Sequence, residues 1–168
     1  MKKILIIAIV VLIANINFNN YAKEVKHVRD YLGQNPFNKE YVILVDYGKS
    51  SGMDRMFIYN LNNNKIEKSF KVAHGRGNSK IFNTQKSFSN VEKTNKSSLG
   101  MSVIKEKGYS NWGINVKYIL QGLEKTNCNN KRRNIVLHSW SGIKEMTFYP
   151  LPLLQSQGCP TVSNSTMK

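Results

Sequence analysis

Acidic residues and metal-binding motifs are scarce in this chain. Its 168 residues include ten Asp and Glu against 25 Lys and Arg, which gives a formal net charge of +15. The three histidines are His27, His74 and His138, and the sequence has no HExxH or CxxC spacing. Protein metal sites usually draw His, Cys and carboxylate ligands from such spacings. We therefore expect no metal site and no organic cofactor, in a chain whose length predicts one domain.

Cysteine is also scarce, since Cys128 and Cys159 are the only two. If the protein is exported, as its N-terminal segment indicates below, its two cysteines can form a disulfide. Cys128 lies among asparagines in a predicted loop, whereas Cys159 stands between Gly158 and Pro160, a turn that presents a side chain outward. A bridge would bury a thiol that is otherwise well placed for chemistry. We favour a free Cys159 and keep the disulfide as the alternative.

Long apolar runs are limited to one, Ile4–Ala14, which follows Lys2 and Lys3. Its eleven residues are too short to span a bilayer comfortably. A short basic region followed by such a run is typical of a secretory signal peptide. We predict a signal peptide over residues 1–22, cleaved after Ala22, and export to the periplasm or cell envelope. An uncleaved membrane anchor is the alternative.

The excess of positive charge indicates the class of partner rather than the fold. No nucleic-acid-binding motif or basic helix is visible, and export makes nucleic acid an unsuitable partner, so we expect none. The cations are scattered, apart from the cluster Lys131–Arg133. An anionic polymer of the cell envelope fits an exported basic protein, with general solubility as the alternative.

The pattern of apolar residues predicts a mainly β fold. Glu24–Leu32 carries apolar residues at helical spacing, so residues 23–40 are predicted as a short helical lead-in and a connector before a domain over 41–168. The 25 residues His74–Ser98 lack periodicity and are predicted to form a functional loop. We expect a β-sandwich or partly closed barrel with short helices. The predicted strands are Tyr41–Tyr47, Arg55–Asn60, Lys65–Ala73, Leu99–Ile104, Ile114–Leu120 and Asn134–Leu137.

His138 and Cys159 are the candidate catalytic pair. His138 follows a run of β-forming residues, which would hold its imidazole rigidly at a strand end. A thiolate is a strong nucleophile, and an imidazole can generate it and return the proton to a leaving amine. Gly158 allows a tight turn that aims backbone amides at a developing oxyanion. Histidine precedes cysteine, the reverse of the order in papain-like peptidases, and Pro160–Lys168 lacks the arginine that sortases need after their cysteine. These two observations disfavour both classes of enzyme.

These residues resemble a known family. His138-Ser139 together with Ser156–Pro160 is similar to the active-site signature of L,D-transpeptidases of the YkuD type, in particular the branch called murein L,D-transpeptidase catalytic domain-like. The resemblance runs from about Tyr41 to Pro160. It is supported by the segments Val72–Ser79, Ser87–Asn90, Ser97–Gly100 and Asn134–His138.

The resemblance implies a role for each residue of the signature. Cys159 would be the nucleophile and His138 its base, and Ser139 would orient the imidazole through its backbone carbonyl. The backbone amides of Gly158 and Cys159 would form the oxyanion hole. The residues that would lie beside the substrate groove are His74, Gly75, Ser156 and Gln157. The wider family has histidine where Gln157 stands and usually glycine where Ser139 stands.

The implied reaction is acyl transfer on peptidoglycan stem peptides. The cysteine would attack the carbonyl of the third stem residue, release the terminal D-alanine and pass the acyl group to an amine, which makes a 3-3 cross-link. If water replaces the amine, the enzyme is an L,D-carboxypeptidase. The alternative from another class is a non-catalytic basic wall-binding protein. We expect a monomer, a domain shortened at its C-terminal end, and a depressed pKa for the Cys159 thiol.

Overall fold

The eight strands of the described residues form one mixed β-sheet, and one helix within those residues packs on one face of it. The computed structural model describes residues 9–13, 21–78 and 86–168. The hydrogen-bonded order is β4-β3-β2-β1-β5-β6-β7-β8. The mainly β prediction is confirmed, and no helix in these described ranges has the length and apolarity needed to cross a membrane. The elements are β1 (Ile9–Ile13), α1 (Ala22–Gly33), β2 (Tyr41–Asp46), β3 (Met56–Asn60), β4 (Lys65–Phe70), β5 (Gly100–Tyr109), β6 (Val116–Gly122), β7 (Val136–Ser139) and β8 (Thr161–Val162).

Alternation along the central strands divides the apolar residues between two cores. In β2, Val42 and Leu44 point to the face that α1 covers, whereas Val45 points to the opposite face. The helix buries Val25 and Val28 against the first face. A strand buried on both faces reads as a continuous apolar run, which is why the sequence predicts β2 clearly. The helix predicted over Glu24–Leu32 is confirmed, and a strand occurs at each of the six predicted positions. The bounds differ in several of them: β4 ends at Phe70 rather than Ala73, β5 extends to Tyr109, and β7 begins at Val136 and includes His138.

The second core, on the face of the sheet opposite α1, supports the strands next to the candidate catalytic residues. It joins Leu120 of β6 and Leu137 of β7 to Val162 of β8, and Ile135 packs into it just before β7 begins. Because these side chains are almost completely buried, β7 and β8 are held by packing as well as by hydrogen bonds. This gives the residues on these two strands a rigid base.

The apolar run near the N-terminus contributes a strand to the middle of the sheet. β1 pairs in parallel with β2 and antiparallel with β5, and Val10 is buried in the second core. Residues 1–8 and 14–20, which make up most of the predicted signal peptide, lie outside the described residues. The signal peptide stays a prediction.

The sheet curls until its two ends meet at one point. Just after β4, Ala73 forms an isolated antiparallel bridge with Thr161 of β8. The Ala73 N–H donates to the Thr161 carbonyl at 2.7 Å, and the Thr161 N–H donates back at 3.3 Å. The sheet does not close into a full barrel, but this bridge carries the start of the His74–Ser98 loop to the segment around Cys159.

Candidate active site

Cys159 and His138 lie on neighbouring segments at one end of the sheet. β7 and β8 are parallel, and His138 is in register with Thr161, two residues after Cys159. Gly158, directly before the cysteine, has φ of +120°, a conformation that residues with a side chain rarely adopt. The glycine therefore makes the turn that delivers Cys159 to the edge of β7.

The Cys159 thiol is partly buried, and its surroundings favour the S–H form over the thiolate. Its Sγ lies 3.5 Å from the Asn134 carbonyl oxygen, to which the S–H donates. Burial raises the pKa of the thiol, while a backbone hydrogen bond from Val136 and the charges of Arg133 and Lys117 act to lower it. Burial outweighs the other three effects, so the expected depressed pKa is wrong for the protein without substrate.

The two cysteines are separate free thiols. Cys128 is exposed, and its Sγ accepts a hydrogen bond from the Asn90 side-chain amide at 3.2 Å. Cys159 forms no disulfide with it in this structure. The thiol of Cys159 is therefore chemically available.

His138 is held through both of its ring nitrogens. Nδ1 lies 3.0 Å from the Ser139 carbonyl oxygen, and Nε2 lies 3.2 Å from Oγ1 of Thr161. Since a carbonyl only accepts, Nδ1 carries the proton of the neutral ring and Nε2 is the basic nitrogen. Burial lowers the pKa of His138, the Ser139 hydrogen bond raises it and Lys117 lowers it. At rest, Nε2 is bound to Thr161 rather than to the Cys159 thiol.

Ser139 is fixed from its side chain while its carbonyl contacts the imidazole. The residue is fully buried, and its Oγ accepts a hydrogen bond from the Ile114 N–H at 3.1 Å. Gly113 packs so closely that an added Cβ would lie 2.0 Å from this Oγ. The role predicted for Ser139 needs only its carbonyl, and these contacts hold that carbonyl in place.

The backbone amides next to the cysteine differ in availability. The Gly158 N–H donates to Ser156 Oγ at 3.2 Å, and that hydroxyl donates to the Cys159 carbonyl at 2.6 Å. Among the described residues, the Cys159 N–H has no backbone acceptor. Of the two amides predicted for an oxyanion hole, only that of Gly158 is therefore engaged in a hydrogen bond within this part of the chain.

Gly75 packs directly against the nucleophile turn. Its N–H donates to Ser97 Oγ at 2.9 Å, and Ser97 donates to the Gly158 carbonyl at 2.8 Å. A Cβ on Gly75 would meet the Asn95 carbonyl at 2.3 Å and the Gly158 Cα at 2.7 Å. Gly75 also forms a bridge with Ser156. Two distant loop segments thus clamp the turn that carries Cys159.

His74 is enclosed by protein rather than facing a groove. It is 4% exposed, its Nδ1 accepts a hydrogen bond from Arg55 at 3.0 Å, and Nε2 lies 3.3 Å from the Gln155 side-chain amide. Burial and the Arg55 charge lower the pKa of His74 to about 3. Arg55 itself is fully buried and also donates to the Val72 carbonyl. No pattern in the sequence predicts this buried arginine, because its partners come from distant segments.

A polar pocket of about 270 Å³ adjoins the cysteine. It reaches Asn134, whose carbonyl accepts a hydrogen bond from Cys159 Sγ, and exposed Gln157, two residues before Cys159. Of the predicted groove residues, it includes Gln157 alone. Its lining is formed by Glu92, Lys93, Asn95, Arg132, Arg133, Asn134, Ile135 and Gln157.

Arg133 ties this pocket to the loop that precedes β5. One terminal nitrogen donates to Ser98 Oγ and, at 2.6 Å, to the Ser89 carbonyl. The other donates to the Lys96 carbonyl at 2.5 Å and lies 3.5 Å from Thr94 Oγ1. All four acceptors are neutral, so the guanidinium charge persists beside the cysteine.

No group of three or more His, Cys, Asp or Glu side chains suited to a metal ion occurs in the described ranges.

Comparison with protein families identifies the chain. The family model of the L,D-transpeptidase catalytic domain, YkuD_2, matches residues 13–168. Comparisons with curated proteins and with solved structures found no match. The match spans nearly the whole chain, including His138 and Cys159. The chain therefore belongs to the L,D-transpeptidase catalytic domain family, whose members are cysteine-dependent and act on peptidoglycan stem peptides.

Proposed function

We propose that this protein is an exported L,D-transpeptidase that uses Cys159 to form an acyl-enzyme on stem peptides and makes 3-3 cross-links. The observation that carries the proposal is the parallel register of His138 with Thr161, which sets a base on β7 and a free thiol two residues before the adjoining β8. Membership of the family supplies the reaction class. The contact of His138 Nδ1 with the Ser139 carbonyl, which leaves Nε2 as the basic nitrogen, supports the role of His138 as the base.

The first step is acylation. His138 Nε2 takes the thiol proton as Sγ attacks the carbonyl carbon of the third stem residue. The Cys159 N–H stabilises the oxyanion of the tetrahedral intermediate. On collapse the C–N bond breaks, the imidazolium protonates the departing amine of D-alanine, and a thioester remains on Cys159.

The second step reverses the first with a different amine. A side-chain amine from another stem attacks the thioester, His138 takes up its proton, and the thiol leaves with that proton restored. Catalysis needs Nε2 and Sγ within hydrogen-bond reach, and such contacts often tighten only when substrate binds. We expect the donor peptide to bring the thiol within reach of Nε2 while Nε2 keeps its contact with Thr161 Oγ1.

Purified muropeptides provide the test. Incubation of tetrapeptide stems with the protein should release D-alanine and give dimers with a 3-3 link, detected by mass spectrometry. Cys159→Ser and His138→Gln should each abolish both products, and Cys128→Ser should affect neither. Release of D-alanine without dimers would assign the L,D-carboxypeptidase reaction. If neither D-alanine release nor a thioester adduct is detected, the result would favour the alternative of a non-catalytic wall-binding protein.

Export also belongs to the proposal. The basic region and apolar run support a signal peptide, and the net charge of +15 suits an anionic envelope. Cleavage after Ala22 would remove β1 and leave β2 and β5 as neighbours. These strands are antiparallel to each other, since β1 is parallel to one and antiparallel to the other. Direct pairing would require the two halves of the sheet to close by about 4.8 Å, the spacing of one strand. N-terminal sequencing of protein recovered from the envelope tests this, and a retained Met1 would argue for an anchor.

A further inference from the structure

We propose that Tyr109, Trp112 and Trp140 form an aromatic platform beside His138 that binds the uncharged glycan to which the stem peptides are attached. This inference rests on the proposed function and adds a carbohydrate-binding site to it. The aromatic platform contains both tryptophans of the chain. Tyr109 is 69% exposed and Trp112 is 56% exposed, although rings of this size are buried to a large extent in most proteins.

The two indole rings are held in a fixed arrangement. Their centroids lie 6.3 Å apart and their planes meet at 85°, which is a favourable edge-to-face geometry. Trp140 also packs against buried Ile143 and Leu153, and its ring lies so close to the backbone at Gly142 that an added Cβ would be 2.7 Å from it. The ring of Trp140 is therefore fixed by protein, and Trp112 extends from it into solvent.

The aromatic platform adjoins the catalytic histidine through two segments. Trp140 follows His138 by two residues, and its N–H donates to a carbonyl of β8 at 3.0 Å. At about 3.3 Å per residue in a strand, the Cα atoms of His138 and Trp140 are about 7 Å apart. Gly113, directly after Trp112, has no room for a Cβ against the Ser139 carbonyl, and that carbonyl oxygen lies 3.0 Å from His138 Nδ1. A ligand on the platform is therefore close to the imidazole.

The aromatic platform is uncharged in a strongly basic protein. Residues 108–116, which include the turn between β5 and β6, contain no charged side chain, and the nearest cations along the chain are Lys107 and Lys117. An anionic polymer or lipid surface would be met by cations at the point of contact, and a second copy of a chain with a net charge of +15 would be repelled. The composition of the platform instead suits a neutral ligand with apolar faces.

An N-acetylated sugar has this chemistry. Its ring carries C–H groups on its faces, which pack on aromatic rings, and hydroxyl and acetamido groups at its rim, which need hydrogen-bond partners. The indole N–H groups are donors, and the exposed side chains of Asn111 and Asn115 on the same turn supply amide groups. Asn115 Nδ2 donates to the Tyr109 hydroxyl at 3.3 Å, which ties that ring to the turn. Rigid aromatic side chains of this kind bind with little loss of conformational entropy.

The spacing fits the glycan of the donor itself. In peptidoglycan the first residue of the stem is joined to the glycan, and the carbonyl that Cys159 attacks belongs to the third residue. Two residues of extended chain span about 7 Å, which matches the separation of His138 and Trp140 along the strand. A donor sugar can therefore lie on the aromatic platform while the third carbonyl meets the thiol.

Binding is tested with the tryptophans as reporters. Because the chain has two, its NMR spectrum has two indole N–H signals, which Trp112→Phe assigns. A β-1,4-linked tetramer of N-acetylglucosamine is titrated into the full-length Cys159→Ala protein. We expect both signals to shift, and Trp112→Ala or Tyr109→Ala to weaken the Kd for the tetramer about 10-fold, as truncation of an aromatic anchor does. Ile66→Ala, at an exposed apolar residue on edge strand β4, is the matched control and should keep the parental Kd.

Three results of this titration would overturn the inference. The first is that both indole signals stay unchanged at millimolar tetramer. The second is a shift caused by vesicles of phosphatidylglycerol but not by the tetramer, which would assign a lipid surface to the platform. The third is a shift that depends on protein concentration alone, which would assign a contact between copies of the chain.

Kinetics separate this inference from the proposed function. The two donors are a free tetrapeptide and the same tetrapeptide joined to its disaccharide. We expect wild type to acylate on the glycan-bearing donor with kcat/KM about 10- to 100-fold higher, and Trp112→Ala to move this ratio toward one. A ratio of one in wild type, or a ratio that survives Trp112→Ala and Tyr109→Ala together, overturns the inference and leaves the transpeptidase intact. Failure to acylate on either donor overturns the proposed function, whereas a shift of the indole signals by the tetramer would still support the aromatic platform in a wall-binding protein.

Discussion

Nε2 of His138 lies 3.2 Å from Oγ1 of Thr161, and the same hydroxyl lies 3.2 Å from the Cys159 carbonyl oxygen. Thr161 has one hydroxyl proton, and it is 1% exposed, so water cannot readily supply a second donor. When His138 is neutral, Nε2 and the carbonyl compete for that proton. When His138 is an imidazolium, Nε2–H donates to Oγ1 and the hydroxyl donates to the carbonyl, and both contacts are satisfied. Thr161 therefore favours the protonated ring that forms during acyl transfer.

Removal of this hydroxyl should lower the pKa of His138 and slow acylation. Thr161→Val keeps the shape of the side chain and loses the donor. We expect kcat for acylation to fall about 10-fold or more, since a hydrogen bond to a charged group contributes about 1.5–3 kcal/mol. Lys117, which pairs with His138 across β6 and β7 and whose charge lowers the pKa of the imidazole, is unchanged. The pKa is measured by NMR titration of the imidazole, assigned with His138→Gln.

Thr161→Ser is the control for this prediction. It retains the hydroxyl and should retain the wild-type titration and most of the rate. An unchanged His138 titration in Thr161→Val would show that the hydroxyl only fills space.

The reactivity of the two thiols provides a second prediction. Because burial raises the pKa of Cys159, its alkylation by iodoacetamide should accelerate only above the pH at which an ordinary thiol ionises. Cys128→Ser isolates Cys159 for this measurement, and Cys159→Ser isolates exposed Cys128 for comparison. We expect Cys128 to react faster at pH 7. Rapid alkylation of Cys159 at pH 5 would instead demonstrate a thiolate already formed at rest.

The sequence predicts local elements well and the contacts between them poorly. β2 is recognisable because Val42, Leu44 and Val45 form an apolar run, and the catalytic pair because His138 and Cys159 stand in a known signature. β8 was missed because two residues carry no periodicity. The apolar Ile9–Ile13 was interpreted by its targeting pattern alone, although it also suits a buried strand.

The polar residues that surround the site were missed for a different reason. Arg55, Arg133 and Thr161 are defined by contacts across 17 or more residues of sequence, to Val72 and to other distant partners. No spacing rule reports such contacts. In the sequence, Arg133 is one member of the basic cluster Lys131–Arg133, and such clusters are usually solvated. The Ala73–Thr161 bridge, which assembles these residues, depends on the curl of the whole sheet.

The close packing of Gly75 provides a third prediction. In Gly75→Ala the new Cβ would overlap the Asn95 carbonyl and the Gly158 Cα, both backbone atoms that cannot rotate away. We expect a loss of about 1–3 kcal/mol in the free energy of unfolding, measured by urea denaturation. We also expect acylation to fall more than stability explains, because Gly158 must move. Gly33→Ala, with nothing within 4 Å of its Cβ, is the matched control and should change stability by less than about 1 kcal/mol. Equal stabilities for the two variants would contradict the proposed clamp.

Acid should destabilise the protein through His74. Its pKa is about 3 in the folded protein and 6.5 in its ordinary state, because it is buried next to the Arg55 charge. Between these values the unfolded chain binds a proton that the folded chain excludes, so stability is lost as pH falls from above 6.5 toward 3. At about 1.4 kcal/mol per unit of pKa, the loss reaches about 5 kcal/mol across the window. His74→Gln, whose amide oxygen can still accept from Arg55, should flatten the dependence of the unfolding free energy on pH. His27→Gln replaces an exposed histidine on α1 and should leave that dependence as in wild type. An equally steep loss of stability in His74→Gln would assign acid sensitivity to other groups, with His138 the next to examine because burial also lowers its pKa.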